Sequence, residues 1–496
     1  MRNQKMRAFI LVVSVMTFAA GMILLSGCGK SYEYKFGELD WYSTYRDKAE
    51  ETEMKTIHDS FYYSDGWFND NPESENKELA LASMQLAASA VKDEADGTGA
   101  SFLKEMGFEE VGFSDFASED PDDCNYTWGR KKLDDVVLVA VAIQSSSDDP
   151  SVKNKGWKQN FTVNDPDSDE PSGEHYAYSM AVDKVIDDIA ALGGQGKVKY
   201  WITGQSRGGA IANILAARLP EKLGSGEADI FAYTFEAPAT VDADAAGSDH
   251  KYIHNYVCSD DIVTLIPVWG MTRYGVMHDL RTRETDEGLA DELLKLGSDA
   301  AGLKPRIVTE DVAARIAERF EERVPDRADY SKKRTDKWTD ADGNQHEVTY
   351  SYQEAFRGMM DLVFREDSSV SLLDGLAGKK DRLAEAVIHL GKAIMQESGG
   401  DDPSAEYWEG SSSLYEAMKE INGEGTLPVS EEEIYKLVRF AAPILVSIPE
   451  EGSGDPDTEL LADVIGYNKE LTYSHNFDTI IARLKILAPA PEEKQE

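Results

Sequence analysis

Gly204-Gln205-Ser206-Arg207-Gly208 sets a hydroxyl between two glycines, each two positions away. Small residues at that spacing let a chain turn sharply from a strand into a helix and hold the central side chain out on the bend. The flanks fit such a turn. Val198 to Thr203 (VKYWIT) has the apolar, β-branched texture of a buried strand, and Gly208 to Leu219 (GGAIANILAARL) is patterned as a helix. A serine so placed can act as a nucleophile. The helix N-terminus beneath it offers a positive dipole end and backbone N–H groups for a developing oxyanion. The motif alone has three fixed positions and also arises by chance as a glycine-rich turn with an incidental serine. The strand-turn-helix context argues against that reading.

A serine hydroxyl needs a base, and the base needs a carboxylate to orient it. Where such an elbow works in an α/β-hydrolase, the acid and then the histidine follow the serine along the chain. After the strand-like run Tyr252 to Cys258 (YIHNYVC) come Ser259-Asp260-Asp261-Ile262, so two adjacent carboxylates stand where the chain leaves the strand. Of the 8 histidines, His58, His175, His250 and His254 precede these carboxylates. His346 lies in a polar hairpin and His389 within an amphipathic helix. His278 (YGVMHDL) and His475 (TYSHNFDTIIARL) remain, and His475 sits in a turn-like Ser-His-Asn context before the last helix.

The run GQSRGGAIAN resembles the elbow of the class 3 (fungal-type) lipases, with Gln205 where that family usually has His and Arg207 where it usually has Leu. Asp261-Ile262-Val263-Thr264-Leu265-Ile266-Pro267 is similar to the family run D-x-V-P-x-L-P, with Thr264 in place of Pro. The resemblance covers roughly residues 60 to 280 and 465 to 490. It implies Asp261 as the triad acid, with Asp260 the nearest competitor. It implies His475 as the base over His278, because the family's catalytic histidine also precedes a terminal helix. The separation of 214 residues between Asp261 and His475 is far wider than the family's. The resemblance also implies an oxyanion hole built from the backbone N–H of Arg207 and of Ser145. The family has R-G-T followed by a Trp after the first parallel strand, and Gln144-Ser145-Ser146 with Trp157 stands there instead. Ser146 could add a hydroxyl, and the Arg207 side chain is expected to be exposed.

The implied activity is hydrolysis of a carboxylic ester, with a lipid as one candidate substrate, through an acyl-enzyme that needs no cofactor or catalytic metal. Two other readings stay open. One is a non-catalytic surface lipoprotein that uses the same fold for binding, and the other is an acyltransferase or peptidase with the same triad.

The elements that must position these residues read as an α/β protein with a mostly parallel sheet. Val136 to Ile143 (VVLVAVAI) is continuous and apolar, as a strand covered on both faces would be. Helical periodicity over Glu78 to Val91 and Tyr178 to Leu192 alternates with the strand-like runs 198–203, 230–235 and 252–258. Residues 281–465 are mostly charged helical segments, among them 311–323, 352–364, 382–396 and 431–448, with a hairpin around Asp342-Gly343. The expected organisation is a signal at 1–27, a tether at 28–55, a core at 56–280, a helical insertion or cap at 281–465, and a return to the core at 466–496. The acidic loop Asp165 to Glu170 could bind Ca²⁺, though a solvated charge run explains it more simply.

Arg2, Lys5 and Arg7, the apolar stretch Ala8 to Leu25 and then Ser26-Gly27-Cys28 resemble a bacterial lipoprotein signal, with Cys28 lipidated and the body anchored outside the cytoplasm. A plain membrane-spanning anchor is the alternative. Cys124 and Cys258 either pair or stay free. With 51 Lys and Arg against 92 Asp and Glu, the formal charge of -41 repels phosphate backbones and argues against nucleic acid as a partner. Protein partners are not indicated.

Overall fold

The computed structural model describes residues 33–45, 55–90, 98–114, 124–146, 159–168, 173–224, 228–267, 269–302, 308–340, 343–363, 379–422, 427, 429–446 and 473–491. Cys28 and the expected signal, Trp157, and the acidic loop from position 169 lie outside them.

The centre is a seven-stranded sheet. Its strands in chain order are β3 (Glu110–Phe113), β4 (Tyr126–Leu133), β5 (Val136–Ile143), β6 (Lys197–Gln205), β7 (Ala228–Phe235), β9 (Ile253–Val257) and β11 (Val276–Asp279). The two-residue strands β8 (Val241–Asp242) and β10 (Met271–Thr272) pair with each other beside it. Across the sheet the order is β11-β9-β7-β6-β5-β4-β3. All neighbours from β5 to β11 run parallel, and β4 and β3 complete the edge antiparallel. The continuous apolar run of β5 has a direct cause. Leu138, Ala140 and Ala142 face one core with Trp201, Phe231 and Tyr233. Val139, Val141 and Ile143 face a second core with Tyr200, Ile202 and Ile230. Alternation along a strand sends successive side chains to opposite faces, and here both faces are covered.

Helices α1 (Lys77–Ser89) and α11 (Phe477–Leu487) cover the first face. Helices α3 (Tyr176–Leu192) and α4 (Arg207–Leu223) cover the second. In α3 the buried Tyr178, Ala181, Val182, Val185 and Ile189 recur at helical spacing. Asn76 caps α1, its side chain accepting from the Leu79 N–H at 3.0 Å. With the acidic and basic candidates following Ser206 in chain order, this is an α/β-hydrolase fold.

Two expected boundaries move. The supposed tether contains β1 (Lys35–Tyr42), which pairs antiparallel with β2 (Thr56–Tyr63). Leu39 and Trp41 alternate inward and are buried in the first core, so burial of their apolar surface holds this stretch on the body. The helix α5 (Arg283–Lys295), assigned above to the insertion, also belongs to the body. Its Leu289 and Leu293 enter the first core beside Ile480 and Leu484 of α11.

The remaining insertion has its own core. It holds α6 (Val308–Arg323), the hairpin β12 (Arg334–Thr339) and β13 (Gln345–Tyr350), then α7 (Tyr352–Val363), α8 (Lys380–Gly399), α9 (Ser404–Asn422) and α10 (Glu431–Leu445). Asp336 organises its interior, accepting from Tyr350 Oη at 3.0 Å, Tyr435 Oη at 2.7 Å and Arg439 Nε at 2.9 Å. A half-buried carboxylate is tolerated there because a cation and two hydroxyls satisfy it. The insertion is docked on the body by buried polar contacts. Asn164 donates through its side chain to Arg327 O at 2.7 Å, and through its backbone N–H to Gln353 Oε1 at 3.1 Å. Tyr330 Oη donates to Phe161 O at 3.2 Å.

Candidate active site

Ser206 stands between β6 and α4 with φ 55° and ψ −127°. This strained conformation persists because the surroundings leave no alternative. A Cβ on Gly204 would lie 2.3 Å from Gly208 O, and a Cβ on Gly208 would lie 2.4 Å from Ile143 O. The two glycines of the motif are therefore demanded by the close approach of strand, turn and helix. The Ser206 N–H donates to Phe235 O at 2.8 Å, which ties the bend to the end of β7.

Three residues far apart in sequence meet here. His475 Nε2 lies 2.8 Å from Ser206 Oγ, and His475 Nδ1 lies 2.6 Å from Asp261 Oδ2. With Asp261 ionised, Nδ1–H donates to it and Nε2 is left to accept the serine proton. Asp261 is fully buried. Its Oδ1 accepts from the Val263 N–H at 2.9 Å, so each carboxylate oxygen has a fixed partner. Asp260 turns the other way, and its Oδ2 faces Arg281 Nη1 at 3.5 Å. Adjacent residues leaving a strand point to different sides, so Asp261 meets the imidazole and Asp260 meets Arg281. His278 lies on β11, its Nε2 3.0 Å from His254 Nδ1 and its Nδ1 3.5 Å from Glu75 Oε1.

The imidazole is held from several directions. Gln205 Nε2 donates to His475 O at 2.9 Å, while Gln205 Oε1 accepts from Ser145 Oγ at 2.7 Å. At the start of α11 the Phe477 N–H donates to Thr44 Oγ1 at 2.9 Å. Asp478 accepts from Ser43 Oγ at 2.9 Å and from Ser298 Oγ at 2.5 Å. Burial raises the Asp478 carboxyl above its ordinary range, and the two serine hydroxyls offset part of that shift.

Ser145 follows β5 by two positions and is buried against the elbow. Arg207 opens α4, so its backbone N–H belongs to the first turn. Its side chain departs from expectation. It is buried, with Nε donating to Gln159 Oε1 at 2.6 Å. The interior offers the guanidinium a partner that pattern reading could not foresee. Ser146 Oγ accepts from Asn160 Nδ2 at 3.2 Å.

An apolar cavity of about 250 Å³ opens at Ser206. The body supplies Phe161, Val263 and Ile266, and the insertion supplies Ile316, Phe320 and Phe356. Phe161 and Phe356 stack across the junction with centroids 5.0 Å apart and an interplanar angle of 9°. Among the described residues no group of three or more His, Cys, Asp or Glu is arranged to hold a metal ion.

In the sequence Gln205 stands out only as a departure from a motif, because its bridging role depends on a residue 270 positions away. Glu236 was missed. It ends the run IFAYTFE, directly after a strand whose C-terminal end borders the elbow, and that position was the available signal.

Residues 141–271 match the family described as Lipase (class 3). Among solved structures, Rhizomucor miehei lipase in its propeptide complex is 20% identical, over 42% of this chain and 65% of that one, with TM-score 0.28. The chain thus spans just under two thirds of that relative. Rhizomucor miehei triacylglyceride lipase is 18% identical over 44% and 82% of the two chains, with TM-score 0.29. A variant of MDLA from Penicillium cyclopium is 16% identical over 44% and 82%, with TM-score 0.28. No curated protein matches the chain.

Proposed function

We propose that the chain is a serine hydrolase that cleaves carboxylic esters through an acyl-enzyme. The observation that carries this reading is the continuous hydrogen-bonded line from Ser206 Oγ through His475 to buried Asp261. The match of residues 141–271 to the class 3 lipases supports it. In the proposed cycle His475 Nε2 takes the hydroxyl proton as Oγ attacks the ester carbonyl carbon. The backbone N–H groups of Arg207 and Ser145 face the oxyanion. The C–O bond to the alcohol breaks as His475 returns the proton to the leaving oxygen. Water then gives its proton to the same imidazole and attacks the acyl carbon, releasing the acid and restoring Ser206. No cofactor takes part.

The cavity argues for an apolar acyl group. At the roughly 30 Å³ that one water-sized atom occupies in a liquid, its volume of about 250 Å³ holds about eight non-hydrogen atoms. The acyl chain is therefore short to medium, closed off by the aromatic wall of the insertion. Phe356→Ala should raise kcat/KM for dodecanoyl relative to hexanoyl esters by at least about tenfold, because even one added methylene in a pocket contributes about 1–3 kcal/mol once room exists. A p-nitrophenyl ester series measures this, and an unchanged chain-length profile would dissociate the cavity from acyl binding.

The reading itself is tested by fluorophosphonate labelling and p-nitrophenyl ester hydrolysis. A folded chain that neither labels at Ser206 nor turns over any ester would sink it. Anchoring through lipid on Cys28, with the body outside the cytoplasm, belongs to the same proposal and rests on the sequence around that residue. Metabolic incorporation of labelled palmitate, lost in Cys28→Ser, tests that part separately.

A further inference from the structure

We propose that Glu236 is a positioning residue of this site, a neutral carboxylic acid that donates a hydrogen bond to Asp261 and fixes that carboxylate against His475. The inference rests on the serine hydrolase reading and extends it from three residues to four.

Glu236 follows directly on Phe235, whose carbonyl holds the Ser206 N–H. Its own N–H donates to Tyr256 O at 2.9 Å, so its backbone is pinned beside the elbow. Its φ is 44°, in the left-handed region that glycine adopts without cost. A long acidic side chain at such a position, wholly buried, calls for a local reason. One carboxyl oxygen has an ordinary role, as Oε2 accepts from the Cys258 N–H at 3.0 Å. The other, Oε1, meets no hydrogen-bond donor among the described residues. Cys258, whose N–H this carboxyl holds, accepts through its own carbonyl from the Asp261 N–H at 3.1 Å, so Glu236 and Asp261 are fastened to the same buried residue, and the Asp261 carboxyl bears directly on that of Glu236.

Two carboxyl groups in contact and out of water cannot both be ionised. Asp261 has the better claim to the charge, because it faces His475 and accepts from the Val263 N–H. The proton then sits on Glu236, and Oε1 is the oxygen left to carry it. Burial first, and the Asp261 charge second, push this carboxyl well above the usual carboxylate range. Other titratable groups facing it are consistent with that state. Burial pushes the Cys258 thiol up, so it stays protonated. Arg273, held at about 10 by burial, remains a cation near both carboxyls and donates from Nε to Ala237 O at 2.7 Å. Arg483 and Asp260 lie beyond Cys258.

Such a donor does two things for the triad. It stops the Asp261 carboxylate from rotating away from Nδ1, and it spreads the negative charge that would otherwise bind the imidazolium too tightly.

The test compares Glu236→Gly with Glu236→Gln in the full chain, with thermal unfolding as a check on folding. Glycine suits the positive φ, so that variant should stay folded while losing the donor. We expect its kcat to fall about 10- to 100-fold with KM within about twofold, the loss expected for a hydrogen bond to a charged group. The acid limb of its kcat/KM profile should also move to higher pH. Glu236→Gln keeps an N–H for Asp261 and a carbonyl for the Cys258 N–H, so it should recover to within about threefold of wild type. Wild-type kcat and pH profile in Glu236→Gly would overturn the proposal, as would Glu236→Gln falling as far as Glu236→Gly. A wild-type chain inert to fluorophosphonate and to esters would instead overturn the hydrolase reading, and this inference with it.

Discussion

Ser206→Ala should lower ester turnover by about 10⁴- to 10⁶-fold and abolish fluorophosphonate labelling, while leaving the fold intact. The size follows from what the hydroxyl does. Its oxygen lies 2.8 Å from a ring nitrogen that can take its proton. Alanine has the same Cβ as serine, so the backbone at φ 55° is no more strained than before. It also keeps the N–H to Phe235 O and the first turn of α4, so the residual rate should reflect water attack on an ester still held by the cavity. Thermal unfolding within a few degrees of wild type would confirm that only chemistry was removed. A folded variant retaining a tenth of the activity would place the nucleophile elsewhere.

Asp261→Asn should cost about 10⁴-fold in kcat with a much smaller change in KM. Its amide has nearly the shape of the carboxylate, and the carbonyl oxygen can still accept from the Val263 N–H. The remaining amide group would present N–H toward Nδ1. His475 would then adopt the opposite tautomer, with its proton on Nε2 facing Ser206, and could not accept the hydroxyl proton. Steady-state kinetics on one soluble ester measure this, with Asp260→Asn as the contrast. Asp260 faces Arg281 rather than the imidazole, so its replacement should change kcat less than tenfold. Equal losses in the two variants would mean that the acid has been misassigned.

The elbow is legible in the sequence because all its determinants lie within about twenty consecutive residues. A buried strand, two glycines and a helix are local patterns, and the cores on either side of β5 explain why the run VVLVAVAI contains no polar position. Asp261 and His475 are legible only through their contexts, because the contacts that join them span 214 residues. Resemblance to a known run singles out the first, and position before a last helix singles out the second. Helix α5 marks a limit of pattern reading. An amphipathic stripe such as Leu289 and Leu293 announces that a face is buried but not against which partner, so the helix reads equally well as insertion or body. Arg207 marks another, since a guanidinium is expected in water unless a partner such as Gln159, distant in sequence, is known to meet it. Glu236 went unread because a carboxylic acid that stays neutral looks like any other Glu until its neighbours are in view.

Helix α11 begins two residues after His475, and its first turn is fastened by Ser43 and Thr44 from near the start of the described chain and by Ser298 from the end of the body. Gln205 fastens the histidine's own carbonyl. The imidazole is therefore delivered by a seam between opposite ends of the polypeptide. The peptide bonds running through the insertion do not seat it. The insertion could thus lengthen, shorten or diversify over evolutionary time and reshape the acyl wall, without the proton-accepting ring losing its alignment.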